Sequence, residues 1–272
     1  MKLTLKTIET FQKRIFDYYR KHGRSFPWRE TNDPYAILVS EVMLQQTQAK
    51  RVAPFFNRWM KQFPTAKTLA HAPLRKILRA WNGLGYNRRA LHLKRASEMI
   101  VQEYEGAIPP NLSKIDALPG VGPYTAGAIG VFAFRISSAF IETNIRTVYL
   151  HFFFQGRANV FDDEILGVIE KTLPKKNARA WYNALMDYGA MLKETTGNLN
   201  MHGARYTKQS RFKGSRRELR GEIIRRVSSG AEVTAQQFEK WQSKYDAAEI
   251  LRELIFEGFL KKDGKVFKLT SR

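Results

Sequence analysis

Apolar residues recur at three- and four-residue intervals along most of the chain, the period of a helix with one buried face. Leu5, Ile8, Phe11 and Ile15 lay down such a stripe at the start and predict a first amphipathic helix. Phe26-Pro27-Trp28 interrupts it. The helical period resumes after Asp33-Pro34, over Tyr35–Arg58, Thr68–Ala72, Leu74–Asn82 and Arg88–Tyr104, with Gly, Pro and Asn turns between. Up to about residue 228 there is no sustained β alternation, no repeat and no low-complexity tract. The main body is therefore predicted to be all-α.

The last fifty residues read differently. Thr234 with Gln237 spells a capping box and predicts a short helix to Gln242. Asp246 opens a second helix with the apolar face Ile250, Leu251, Leu254 and Ile255, stopped at Gly258. Phe259–Leu269, with Asp263-Gly264 as its turn, predicts a β-hairpin. Helices followed by a basic β-ribbon resemble a small α+β winged-helix module; a structural cap on the main body fits equally well.

Composition changes the picture in two ways. Over 272 residues, 46 Lys and Arg face 25 Asp and Glu, a formal charge of +21. Such an excess argues for a polyanionic partner, nucleic acid first and a membrane surface second. From Lys193 to Arg226 ten basic residues stand against three acidic ones, interleaved with Tyr206 and Phe212. That segment could lie along a phosphate backbone. Cysteine is absent, which excludes disulfides, thiolate nucleophiles and Cys-ligated zinc or iron–sulfur clusters. The five histidines fall in no metal-ligand spacing, and the longest apolar run, Gly127–Phe134, is too short to cross a membrane. With no signal-peptide core at its start, the chain is expected to be soluble and cytoplasmic.

Two segments carry candidate chemistry. Leu118-Pro119-Gly120-Val121-Gly122-Pro123-Tyr124-Thr125 puts two glycines between a helix ending near Ala117 and an apolar helix starting near Thr125. Amides left unobstructed at a helix N-terminus suit a phosphate; a plain turn is the alternative. In Ile37–Gln48, Glu41 lies inside an apolar run, with Gln45 and Gln48 predicted on its helical face. A carboxylate in such surroundings has its pKa pushed up, which suits a general acid; a buried glutamate satisfied by backbone amides is the alternative.

Phe26-Pro27-Trp28-Arg29, Ser40–Gln48, Trp81–Tyr86 and Leu118–Ala128 together resemble the helix-hairpin-helix (HhH-GPD) DNA glycosylase superfamily. Within it they are most similar to the MutY-type adenine mismatch glycosylases, over about residues 24 to 192. The resemblance implies an all-α, two-lobed fold that flips a base from duplex DNA and hydrolyses its glycosidic bond. Residues 1–212 would form the glycosylase domain, with the N-terminal helix and 136–212 as one lobe and about 24–135 as the other. Residues 213–272 would form a basic linker helix and the winged-helix-like module.

Carried over by position, Glu41 matches the general acid that protonates the leaving adenine, and Trp28 and Arg29 fall where the family lines its base pocket. Gln45, Gln46 and Tyr86 match residues that enter the duplex; Gln48, Arg88, Thr125, Lys208 and Arg211 are expected to contact DNA nearby. Gly120, Val121 and Gly122 match the phosphate-holding hairpin, with a monovalent cation on the carbonyls of Leu118 and Val121 and no other cofactor. Tyr124 stands where bifunctional relatives carry a Schiff-base lysine, so a monofunctional enzyme is implied.

Three departures from the family stand out. The second catalytic carboxylate, an aspartate in the family, is Glu142 within Ile141–Val148. Lys193 occupies the place of the first cluster cysteine, and the basic segment Lys193–Arg217 is expected to replace the cluster's DNA-contacting loop. The C-terminal domain that inspects oxidised guanine does not match. The expectation is a monomeric, cluster-free glycosylase, nucleoid-associated and without membrane contact, that removes adenine opposite guanine or oxidised guanine. A thymine/uracil–guanine enzyme is the second alternative, and a non-catalytic binder of mismatched DNA, suggested by Glu142, the third.

Overall fold

The computed structural model describes residues 3–270 apart from 205, 209–210 and 242–244, with the backbone alone at 239 and 240. Among the described residues the helices are α1 (Leu5–His22), α2 (Pro34–Leu44), α3 (Ala49–Gln62), α4 (Ala66–Ala70), α5 (Leu74–Trp81), α6 (Arg88–Glu103) and α7 (Leu112–Asp116). They continue as α8 (Pro123–Phe134), α9 (Thr143–Phe153), α10 (Asp162–Thr172), α11 (Ala178–Thr196), α12 (Arg216–Ser229) and α13 (Ala247–Phe256). Strands β1 (Leu260–Asp263) and β2 (Val266–Leu269) form one antiparallel hairpin. None of the described helices is long and apolar enough to cross a membrane.

The chain divides into two compact units. The first comprises Met1–Ile37, Pro110–Ala117 and Val121–Lys208. Its core sets Phe11 of α1 edge-on to Tyr149 at 5.6 Å and to Trp181 at 5.5 Å. Helix α8 is apolar all round and buried from Thr125 to Phe132, as a central helix should be. Gly189 lets α11 press against the start of α9: a Cβ there would overlap the Asn144 carbonyl. Helix α11 continues through Lys193 to Thr196. The following turn folds back, with Asn200 Nδ2 donating to Thr147 Oγ1 at 2.8 Å and Gly203 bridged to Val160. Protein side chains thus support α9 here, and no thiolate exists to hold an iron–sulfur cluster.

The second unit comprises Leu38–Pro109, Leu118–Gly120 and Gln209–Arg272. Trp59 and Trp81 meet edge-on at 5.3 Å in its core. Helix α12 packs against α5, and Arg79 Nε donates to the Ser228 carbonyl at 3.0 Å. After α12, Val233 pairs with Phe267 and adds a third extended segment to the β-hairpin. Helix, strand, two helical segments and a hairpin in this order make the winged-helix-like arrangement.

Four sequence expectations need correction. Leu5 is 81% exposed; only Phe11 and Ile15 of the α1 stripe are buried. The helix expected over Tyr35–Arg58 is two helices, α2 and α3, broken at Gln45–Gln48. The segment after Thr234 is a 3-10 turn over Ala235–Trp241, kinked at Phe238, although Gln237 does accept the Thr234 N–H; its expected end at Gln242 lies outside the described residues. The hairpin turn is Gly264-Lys265 rather than Asp263-Gly264, because Asp263 still pairs with Val266.

Candidate active site

In the second unit, Glu41 sits one turn before the end of α2, 4% exposed between Leu38 and Val42. The helix stops at Leu44 because Gln46 turns left-handed at φ 56°. A helix end leaves its last carbonyls without partners. Here Arg89 of α6 supplies them: Nη1 donates to the carbonyls of Val42 (3.1 Å), Met43 (2.8 Å) and Gln45 (2.5 Å). Its Nη2 donates to Thr47 Oγ1 at 3.2 Å and to the Gly85 carbonyl at 3.1 Å. One buried guanidinium therefore joins the end of α2 to the Gly83–Tyr86 loop. Burial pulls its pKa down to about 10, so it stays charged at neutral pH.

Tyr86 is also left-handed, at φ 48°. Non-glycine residues held there cost about 1–3 kcal/mol each and cluster at functional sites. The Tyr86 hydroxyl accepts from Arg217 Nη1 at 2.5 Å. Gln45 Nε2 donates to the Gly120 carbonyl at 3.3 Å, tying the loop after α2 to the hairpin. Gly120 has φ 80°, and a Cβ would come within 2.6 Å of His92 Cβ, so only glycine fits. Gln48 is the exposed N-cap of α3, Arg88 is exposed and paired with Glu257 at 2.6 Å, and Arg211 is exposed.

In the first unit, Val121 leads to Gly122, the N-cap of α8, and Pro123 follows at its first position. No side chain caps this end, which keeps its amides for an anion. Thr125 is buried, so only its backbone could meet a phosphate, whereas Lys208 is exposed. Tyr124 lies edge-on to Phe140 at 5.7 Å, and Phe140 stacks on Tyr182 at 3.9 Å.

Glu142 is the N-cap of α9. Its Oε1 accepts the backbone N–H of Asn144 at 2.8 Å and of Ile145 at 2.9 Å, and Oε2 accepts Asn144 Nδ2 at 3.3 Å. Burial pushes the Glu142 carboxyl above its ordinary value, opposed by those donors and by Arg146.

Trp28 is buried and stacks on Phe26 at 4.9 Å. Arg29 grips Asp187 with both amino groups, at 2.8 and 2.9 Å, while Arg24 Nε holds the same carboxylate at 2.7 Å. Burial raises the Asp187 carboxyl, but Arg29 and Arg24 outweigh it and hold the group below its ordinary value. Arg179 donates to the carbonyls of Arg29, Thr31 and Phe132, each at 2.7 Å, and fixes this loop. Sequence reasoning missed Asp187, Arg89 and Arg179. Only Asp187 left a trace, as an acid in the apolar stripe of α11.

Glu41 is thus buried in an apolar helix, and Glu142 caps α9 with its carboxyl raised by burial. The second unit also carries Gly120 at φ 80° and left-handed residues at Gln46 and Tyr86. Among the described residues no group of three or more His, Asp or Glu side chains could hold a metal ion.

The chain is similar to known proteins in sequence and in fold. A family model described as the HhH-GPD superfamily base excision DNA repair protein matches residues 39–195, more than half of the chain. The adenine DNA glycosylase of Buchnera aphidicola subsp. Baizongia pistaciae is 35% identical over 188 residues, covering 68% of this chain and 54% of its own. That of Mycobacterium tuberculosis is 41% identical over 135 residues, 49% of this chain and 44% of its own. The chain thus spans about half the length of such relatives. Among solved structures, a thermostable thymine-DNA glycosylase superposes with a TM-score of 0.62 at 27% identity, covering 68% of this chain and 87% of that one. A DNA-trapped endonuclease III superposes with a TM-score of 0.60 at 19% identity, over 70% and 88% of the two chains, and shares the fold. With its glycine hairpin, Glu41, Glu142 and most of its helices inside residues 39–195, the chain belongs to the HhH-GPD superfamily of base excision DNA repair proteins.

Proposed function

We propose that this chain is a monofunctional DNA glycosylase that flips a mispaired adenine, opposite guanine or oxidised guanine, and hydrolyses its glycosidic bond. The observation that carries this reading is the pair of acids at the family's positions, Glu41 buried in an apolar helix and Glu142 set on helix amides. Adenine is a poor leaving group, and its loss leaves an oxocarbenium-like sugar. Glycoside cleavage meets both needs with one protonated and one ionised carboxyl. Glu41 is assigned to protonate the departing ring, and Glu142 to stabilise the cation and orient water. Gln45, Gln46 and Tyr86 fill the space of the extruded base, offsetting the few kcal/mol that flipping costs.

The amides of Gly120, Val121 and Gly122 hold a backbone phosphate in this reading, with a monovalent cation on the Leu118 and Val121 carbonyls. Tyr124 has no amine to condense with the sugar aldehyde, so no Schiff base forms and the strand stays uncut. The Arg24–Arg29–Asp187 network stiffens the segment that carries Trp28.

The test is a panel of end-labelled duplexes bearing A opposite G, A opposite oxidised guanine, T opposite G and U opposite G, each with and without alkali. Breaks on the adenine duplexes that require alkali are expected. Breaks without alkali would contradict the monofunctional assignment. The thymine-DNA glycosylase that superposes at 27% identity favours a second reading, thymine removal opposite guanine. Alkali-dependent breaks confined to T opposite G would establish it; tight binding with no breaks would leave a mismatch binder.

A further inference from the structure

A groove of about 1620 Å³ lies wholly within the unit that contains the C-terminal segment. One wall is formed by the loop after α2 and by the Asn82–His92 segment, which include Gln45, Gln46 and Tyr86. Helix α12 also lines the groove, with Arg216, Arg217, Arg220 and Arg225 along it. Seven arginines line the groove against four glutamates. Three of those acids are already engaged by arginines: Glu253 by Arg216 and Arg220, Glu257 by Arg88 and Arg220, and Glu222 by Arg225. Counted whole, paired residues included, the lining is net positive, which suits an anion. Arg217 also touches the Tyr86 hydroxyl, its guanidinium 5.7 Å from the ring centre. Phe212 is 60% exposed and Phe256 93% exposed along the same groove.

We propose that α12 is a second DNA-contacting element, gripping the sugar–phosphate backbone of the same duplex that the Gln45–Gln46 and Tyr86 loops enter. The C-terminal module then lengthens the footprint on DNA instead of capping the fold. Three features favour a nucleic-acid backbone as the occupant. The groove is continuous with the duplex-entering loops. Its surplus charge is positive. It is carried by arginine, whose planar fork suits phosphate. This inference rests on the glycosylase reading above.

Backbone contacts position a protein without reading sequence, and each phosphate neutralised adds about 0.9 to the slope of log affinity against log salt. The test compares the full chain with Arg217→Gln/Arg225→Gln and with Arg217→Lys/Arg225→Lys, by salt titration of anisotropy on mismatched and matched duplexes. The glutamine variant is expected to lose about 1.8 from the slope. Its affinity should fall by the same factor on both duplexes, and the lysine variant should keep most of the slope. An unchanged slope and affinity in the glutamine variant overturns the proposal. So does a lysine variant that loses as much as the glutamine one, because the loss then follows from Tyr86 support and not from phosphate contact. Wild-type protein with no salt-dependent binding to any duplex defeats the glycosylase reading itself. Steep wild-type binding with an unchanged variant defeats only the role of α12.

Discussion

Replacing Arg89 with methionine keeps the bulk of the side chain and removes the charge that closes α2. The guanidinium is 7% exposed and binds carbonyls from two separate loops. A hydrogen bond to a charged group contributes roughly 1.5–3 kcal/mol, but the values do not add, since carbonyls near the surface regain water. Breaking one side of a buried ionic arrangement costs about 3–5 kcal/mol, which is the better guide here. At roughly 2–4 °C per kcal/mol for domains of this size, the midpoint of thermal unfolding should fall by about 6–20 °C. Amide hydrogen exchange should rise first at residues 42–47 and 84–86, the segments the guanidinium joins. Arg89→Lys should recover less than half of the loss, because a compact ammonium cannot span both loops. A fall of less than 2 °C, or exchange that rises evenly along the chain, would refute the assignment of Arg89 as the organiser of these loops.

Further outcomes follow from single contacts. Gly120→Ala forces a Cβ against His92 at φ 80°; it should cost a few kcal/mol, counting about 1–2 for the left-handed backbone alone, and weaken duplex binding measured by anisotropy. Glu142→Gln removes a carboxyl whose pKa is raised in the fold, so its charged form opposes folding above that pKa. The variant should therefore melt higher than wild type at pH 7 and lose that advantage as pH falls toward 4.5, while base removal collapses; equal melting at pH 7 would contradict it. Asp187→Asn leaves Arg24 and Arg29 without their anion and should cost about 3–5 kcal/mol in urea unfolding at pH 7. The wild-type Asp187 contribution is lost as pH falls below its ordinary 3.8, because its folded pKa is depressed.

Most helices were legible in the apolar period, and the hairpin in its two glycines. What failed was local in appearance and distant in cause. No residue between Tyr35 and Arg58 announces that the helix ends at Leu44. At the break Gln46 turns left-handed, and Arg89, more than forty positions along the chain, takes up the carbonyls that a continuing helix would have bonded. For the same reason Gln45 and Gln48 leave the face of Glu41: one reaches Gly120 and the other opens α3. Arg29 was readable as a site residue, but its partner was not, since Asp187 sits on a helix more than 150 positions away. Glu142 shows the opposite case. The sequence shows a glutamate where the resemblance implies an aspartate, and the structure sets its side chain on the amides of α9.

The most direct test is single-turnover removal of adenine from a duplex with A opposite G, by wild type and by Glu41→Gln, with duplex affinity measured in parallel. The account predicts alkali-labile sites with wild type only and nearly equal affinities for the two proteins. A Glu41→Gln protein that removes adenine at the wild-type rate would contradict it.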